Sequence, residues 1–307
     1  MSSSPIRSFE QLHHHLAQLP SRCRVAVAHP ADAHTLQAVL NAVHLGFVEA
    51  FLVGEVHAPL LEKLSSETAA WVHHIPASDA GAAMQQAVQM VHDGEADALM
   101  KGLVNTDDLL RHVLNKTYGL RQEGAIISHV AAFHLPMLER IVLMTDVAVI
   151  PTPSPEQRRA QLTYAAALAR QLGIDTPRVA LLHFCEKISD KFPLTLDYAA
   201  LKEEANKGVF GKVIVDGPLD LLCSLSSQGL ADKHLTSVLE GKADVLLFPD
   251  IETGNAVYKT LSFLVSGAEA ASLLVGTTYP VVLTSRGDSI ETKVNSLALA
   301  AIQIKKD

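Results

Sequence analysis

The sequence predicts an α/β protein of two domains, each a mostly parallel sheet with helices on both faces. Short apolar runs alternate with amphipathic stretches along the 307 residues, the pattern of strand and helix taken in turn. Most of the apolar runs are continuous rather than alternating, as strands covered on both faces require. A chain that is 48% hydrophobic and 19% charged also has ample apolar content for more than one average domain.

Strands are expected over 24–28, 50–53, 98–100, 125–132, 140–150, 179–184, 212–215, 244–248 and 280–284. The pair within 125–150, joined by a brief connection, reads as an antiparallel hairpin and marks the entry to a second domain. Ser154-Pro155-Glu156-Gln157 places a cap, a proline in the first turn and a glutamine that completes a capping box. Asn105 to Asp108 lead into an apolar stripe of Leu109, Leu110, Val113 and Leu114. The last helix carries Ile290, Val294, Leu297 and Ala301 on one face, with Asp288 as its expected cap and Glu291 three residues on. The stretch 261–283 is interrupted by Glu269, glycines and Pro280; it reads as helix, loop and buried strand rather than a membrane span.

Composition excludes several functions. A net charge of −8 leaves no basic field for nucleic acid or an anionic membrane surface. Cys23, Cys185 and Cys223 are far apart, with neither disulfide nor zinc-knuckle spacing, which points to a reducing cytoplasm. The start, MSSSPIRSFE, lacks the apolar core of a secretory signal. Fifteen histidines are scattered, including the His13–His15 triplet and the His73–His74 pair, both expected on the surface. None forms a compact metal-binding set, and Walker A and G-x-G-x-x-G patterns are absent.

In open α/β sheets ligands sit at the carboxyl ends of strands, where helix N-termini offer N–H groups. Three strand-to-helix junctions carry suitable residues: 100–106 with Lys101, Gly102 and Thr106; 249–255 with Thr253, Gly254 and Asn255; and 283–289 with Ser285, Arg286, Gly287, Asp288 and Ser289. The third brings together a hydroxyl, a guanidinium shaped to grip phosphate and a glycine that permits close backbone approach. An ordinary turn with Asp288 capping the helix accounts for the same residues. Glu252 or Thr253 serves equally as a plain cap, and Gly254 in a first turn is explained by close approach of a ligand or of another backbone. Lys101 and Gly102 also fit a solvated strand end. Asp146 and Glu186-Lys187 fit a sheet rim, and Ser128-His129 fit a hydrogen-bonded core.

Taken together, LMKGLVNTDDLLRHVL (99–114), ISHVAAFHLP (127–136), MTDVAVIPTPSPEQ (144–157), VDGPLDL (215–221), ADVLLFPDIETGNAVYKTL (243–261) and PVVLTSRGDSIETK (280–293) resemble the phosphate acetyl/butyryltransferase family, nearer its butyryltransferase-like branch. They span about two thirds of the chain in family order. The resemblance implies a fold like that of the isocitrate and isopropylmalate dehydrogenases with a cleft between domains. Domain I would be 1–126 plus 277–307 and domain II 127–276, in a homodimer or larger homo-oligomer. It implies transfer of a short acyl group (acetyl, propionyl or butyryl) between coenzyme A, as substrate, and inorganic phosphate, with no permanently bound cofactor. Ser285 and Arg286 match the family's Ser-Arg pair, for hydrogen bonding to the thiol or carbonyl and for phosphate binding. Lys101, Gly102, Thr106, Ser128, His129, Thr253, Gly254, Asn255 and Ser289 are the expected substrate contacts.

The acetyltransferases carry an Asp seven residues after that Ser; here the position is Thr292, as in the butyryl branch, and Asp288 is the substitute base. The residues around 150–152 and His183-Phe184-Cys185 also depart from the usual pattern. Three alternatives stay open: a metal- and NAD-dependent decarboxylating dehydrogenase on a similar fold, for which Asp216 and Asp220 would be the acidic pair; a non-catalytic acyl-CoA or acyl-phosphate binding protein; and one half of a larger fused enzyme, compatible with an irregular start over 1–8.

Overall fold

A computed structural model describes residues 4–304. The chain forms two compact units: Ser8–Ile127 with the segment from Glu269 onward, and Ser128–Ala268 with the described residues through Arg7. Residues 1–3 of the expected irregular start lie outside the described residues; Ile6 donates its N–H to Leu172 O at 2.8 Å, and Ser8 already caps a helix.

The first unit runs α1 (Phe9–Ala17), β1 (Cys23–Ala28), α2 (Ala33–His44), β2 (Val48–Val53), α3 (Ala58–Leu61), α4 (Ser66–Ala69), β3 (Val72–Ile75), α5 (Ala80–His92), β4 (Ala98–Lys101) and α6 (Thr106–Val113). The second holds β5 (Ser128–His134), β6 (Ile141–Thr145), α7 (Pro155–Gln171), β7 (Arg178–Leu182), α8 (Pro193–Asn206), β8 (Ile214–Leu219), α9 (Leu221–Leu225), α10 (Ser227–Asp232), β9 (Val245–Leu247) and α11 (Ile251–Leu264). The chain then returns to the first unit as β10 (Glu269–Val275), β11 (Val281–Val282) and α12 (Ile290–Ala301).

In the first unit the strands lie in the order β3-β2-β1-β4-β11-β10, all parallel except the β10–β11 pair. β1, as CRVAVA, is almost wholly buried, the burial that a continuous apolar run predicts. α2 starts at Asp32, whose side chain accepts from Thr35 N, and it buries Leu36, Val39, Leu40 and Val43 at helical spacing. α12 packs against α2 and β10. Going from β1, the chain first moves outward through α2 to β2, whereas β4 pairs with the other side of β1. The strand order therefore reverses between β1 and β4, where open α/β sheets leave a crevice.

The second unit has the order β5-β6-β9-β7-β8. β5 and β6 form the expected antiparallel hairpin, and the other pairs are parallel. Ser154 makes the expected capping box with Gln157 at the start of α7.

Several expectations are corrected. The strand expected over 140–150 ends at Thr145, because the next residues wrap around the Asp146 carboxylate. The one expected from 125 begins at Ser128. β3 was not foreseen, since VHHI lacks an apolar run; it joins the sheet edge through β2, helped by His73 on Glu49 (2.8 Å) and His74 on Gly54 O (2.8 Å). β10, read as loop, is a buried strand antiparallel to β11. The histidine triplet is not uniformly on the surface: His13 is half-buried, stacked on Phe47 at 5.5 Å, and burial lowers its pKa.

β4 lies between β1 and β11, and Leu99 on it is fully buried. Replacing Leu99 with Ala should cost about 2–5 kcal/mol through lost burial and a residual cavity, read as a lower midpoint in urea denaturation.

Candidate active site

Three of the first unit's junctions meet because β1, β4 and β11 are neighbouring parallel strands whose carboxyl ends lie side by side. Each leads into the N-terminus of a helix: α2, α6 and α12. The loops after them enclose a cavity of about 240 Å³, lined by Asp32, Ala33, His34, Thr35, Lys101, Gly102, Leu103, Thr284, Ser285, Arg286 and Lys293. That is just below the roughly 300–1,000 Å³ of typical drug-sized ligand pockets.

Lys101 is only 5% exposed, which corrects the solvated-strand-end reading. Its ammonium donates to Gly102 O at 3.3 Å. Burial is the main cause that lowers its pKa; Arg286 and Lys293 add to this, while Asp32 and Asp288 oppose it. Gly102 is required by packing, since a Cβ there would collide with the main-chain oxygens of Ala28 and His29. A Cβ at Gly287 would meet nothing within 4 Å, so packing does not demand that glycine.

The Ser285–Asp288 turn is closed from both sides. Ser285 N donates to Asp288 Oδ2 at 2.7 Å, and Asp288 N donates to Ser285 O at 3.2 Å. Asp288 is thus not the cap of α12. That cap is Ser289, whose Oγ accepts from Thr292 N at 3.0 Å, because the Asp288 carboxylate is turned back onto Ser285. Ser285 and Arg286 are exposed. Arg286 Nη2 donates to Asn105 Oδ1 at 3.2 Å, linking the third junction to the first. Asn105 gives no side-chain cap to α6, and Thr106 is exposed in its first turn.

A second polar cluster lies wholly within the other unit. Asp146 is 2% exposed, not a rim charge. Its carboxylate accepts from Ser128 Oγ (2.7 Å) and from the N–H groups of His129 (3.2 Å), Ala148 (2.8 Å), Val149 (2.9 Å) and Ile150 (3.2 Å). This donor set satisfies a buried carboxylate. Ser128 and His129 are themselves buried. α11 docks on the same loop: a Cβ at Gly254 would collide with Asp146 O, and Asn255 Nδ2 donates to Val147 O at 3.0 Å. Gly254 is therefore explained by another backbone. The cap of α11 is Asp250, which accepts from Thr253 N at 2.8 Å, not Glu252 or Thr253, since only Asp250 has the extended backbone of a cap; Thr253 is exposed.

Comparison with known proteins gives this geometry its context. Residues 80–301 match the family model described as phosphate acetyl/butaryl transferase. The chain is 40% identical over 282 residues to a phosphate butyryltransferase of Clostridium acetobutylicum, covering 91% of this chain and 92% of that protein. The chain belongs to the phosphate acetyl/butyryltransferase family. It is an enzyme of the phosphate acyltransferase class. It is also 36% identical over 285 residues to a phosphate acetyltransferase of Thermotoga maritima, covering 91% of this chain and 94% of that one. A solved branched-chain phosphotransacylase from Enterococcus faecalis superposes with a TM-score of 0.80 at 31% identity, over 92% of this chain and 99% of that one. A 4-hydroxythreonine-4-phosphate dehydrogenase from Salmonella typhimurium, at 13% identity and TM-score 0.56, shares the fold alone.

Family membership sets aside the dehydrogenase alternative for this acyltransferase. The acidic pair on which that alternative rested is engaged: Asp216 with Lys202 and Ser237, both at 2.6 Å, and Asp220 with Lys233 at 2.6 Å. Glu186, Asp220 and Cys223 offer ligand atoms within 4.8 Å of one another; the Lys233 ammonium already sits 2.6 Å from both carboxylates. No helix among the described residues is long and apolar enough to cross a membrane.

Sequence reasoning missed Lys293, which lines the cavity though only 3% exposed. Its signal was present: it stands three residues after Ile290 and four before Leu297, inside the apolar stripe of α12. A charge in such a stripe needs a buried partner.

Two outcomes are expected here. Gly254→Ala should lose about 1–3 kcal/mol through overpacking against Asp146, read as a lower melting temperature. Among the cysteines, Cys23 and Cys223 are buried, and burial followed by Asp220 pushes the Cys223 thiol up to about 11. Cys223 therefore stays a protonated thiol at pH 8, and iodoacetamide in the native state should label Cys185 first, as peptide mapping would show.

Proposed function

We propose that the chain moves a short acyl group (acetyl, propionyl or butyryl) reversibly between coenzyme A and inorganic phosphate. The observation that carries this is the gathering of Ser285, Arg286 and the buried Lys101 on one small cavity at the carboxyl ends of parallel strands.

In the direction of thioester formation, the coenzyme thiol gives its proton to a base. Its sulfur then bonds to the acyl carbon, the carbon–oxygen bond to phosphate breaks, and that electron pair leaves on phosphate. A thiol with a pKa of about 8.5 needs only modest help to supply thiolate. We assign that help to Asp288, or a water it orients, since its carboxylate is held next to Ser285. Ser285 hydrogen-bonds the thiol or carbonyl. Arg286 holds the phosphate as charge moves onto it, with the first turn of α12 at Ser289 beside it. Lys101 and Thr106 bind phosphate or coenzyme, with Gly102 keeping the lysine's loop against β1.

In the second unit we assign Thr253, Gly254 and Asn255 to a substrate-contacting helix start. Ser128 and His129 hold it in place through Asp146. Thr292, where an acidic base would stand in the acetyltransferases, offers a hydroxyl, which is no base near neutral pH, and this supports placing the base elsewhere. The reading takes the two units as two domains, and includes a cytoplasmic location and a homodimer or larger homo-oligomer. Exposed Phe263 and Leu264 on α11 favour such self-association.

The test is phosphate-dependent release of free thiol from acetyl-, propionyl- and butyryl-CoA, without added metal or nicotinamide. The wild-type protein should release thiol from at least one. Arg286→Ala should lower kcat/KM about 10²–10³-fold, the usual loss for a group that stabilises developing charge. No release from any thioester would overturn the reaction, and an unchanged rate in the variant would overturn the role of Arg286.

A further inference from the structure

The first turn of α2 lies outside the stretches that mark the family in this sequence, and Lys293 closes the last of them without an assigned role, yet both line the cavity beside Ser285 and Arg286. Lys293 Nζ donates to Asp288 O at 2.7 Å, and an ammonium has three donors to place. Lys101 makes a single long bond, to Gly102 O. Two lysines more than nine-tenths buried thus face one small space together with Arg286. Against these three cations stand two carboxylates: Asp32 on the lining, whose Oδ1 accepts from Thr35 N at 2.8 Å, and Asp288 close by, whose Oδ2 accepts from Ser285 N at 2.7 Å. Crowding like charges out of water is costly unless an anion completes the set. Strand topology puts the crevice in the same place, at the reversal between β1 and β4. α2, of 12 residues, brings its N-terminus there.

We propose that this cavity is a subsite for a terminal phosphate group, in which Lys293 and the first turn of α2 (Ala33–Thr35) complete the grip that Lys101 and Arg286 begin. The inference rests on the acyltransferase reading for its ligand. A tetrahedral oxyanion with several free oxygens can take donors arriving from four elements at once, which a bridging diester cannot. Two substrates carry such a group: inorganic or acyl phosphate, and the 3′-phosphate of the coenzyme. Lys293 acts as a binding residue, raising the occupancy of phosphate without taking part in proton transfer.

The experiment compares wild type, Lys293→Met and Lys293→Arg, with the melting temperature of each recorded first. Lys293→Met keeps the length and removes the charge, so it suits a buried position; Lys293→Arg keeps the charge. Isothermal calorimetry measures the affinity for inorganic phosphate and for coenzyme A without turnover. Steady-state kinetics measures KM for phosphate, acyl-CoA and acyl-3′-dephospho-CoA. Loss of one charge-assisted hydrogen bond should weaken phosphate about 10- to 100-fold in Lys293→Met, with acyl-CoA unchanged and affinity partly restored in Lys293→Arg. If instead acyl-CoA weakens and the 3′-dephospho thioester does not, the subsite is still supported and its occupant is the coenzyme's 3′-phosphate. Unchanged affinity for both ligands in a folded Lys293→Met overturns the subsite and leaves the enzyme reading intact. Absent turnover in the wild type overturns the enzyme reading, while calorimetry with phosphate still decides the subsite.

Discussion

The side-by-side alignment of the carboxyl ends of β1, β4 and β11 is the constraint on which the first unit's chemistry depends. Register holds Ala28 opposite Lys101 and Met100 opposite Val282. A slip of one residue would exchange the faces of a strand, turning Lys101 away and bringing an apolar side chain in its place. Gly102 sharpens the same constraint, because its loop lies too close to the main chain of Ala28 and His29 for any side chain. Helices α2, α6 and α12 then begin where these strands end, so their partial positive charges point toward one region.

Charge is handled in opposite ways in the two units. Asp146 is a buried anion satisfied within the protein by a hydroxyl and four main-chain N–H groups. Such a carboxylate shapes the 147–150 loop and, through Gly254 and Asn255, seats the start of α11. Lys101 and Lys293 are buried cations with far thinner internal partnership, each donating to one main-chain carbonyl. A satisfied buried charge builds structure; an under-satisfied one, such as Lys101 at the end of β4 or Lys293 in α12, marks a candidate functional position.

This division explains the roles open to the Ser285–Asp288 turn. Its carboxylate is spent partly on its own backbone, which fixes Ser285 and leaves capping of α12 to Ser289. Arg286 is exposed and reaches Asn105 in the β4–α6 loop, so its guanidinium stays open to solvent beside the cavity. An exposed guanidinium thus lies beside two buried ammonium groups on one cavity.

By itself the sequence determined the α/β class, most strand positions, the β5–β6 hairpin, the α7 capping box and the family, because apolar continuity, cap chemistry and local motifs are short-range properties. The position of Ser285, Arg286 and Lys101 at strand-to-helix junctions was legible for the same reason. Only the tertiary structure decided that Asp146 is an organiser rather than a rim charge, that Gly254 answers to a neighbouring carbonyl, and that Asp288 turns back on Ser285. It alone placed Lys293 on the cavity. Each of these depends on what a residue faces across elements distant in sequence, and the edge strand β3 and the return strand β10 were hidden because pairing with existing strands, not a local apolar run, makes them strands.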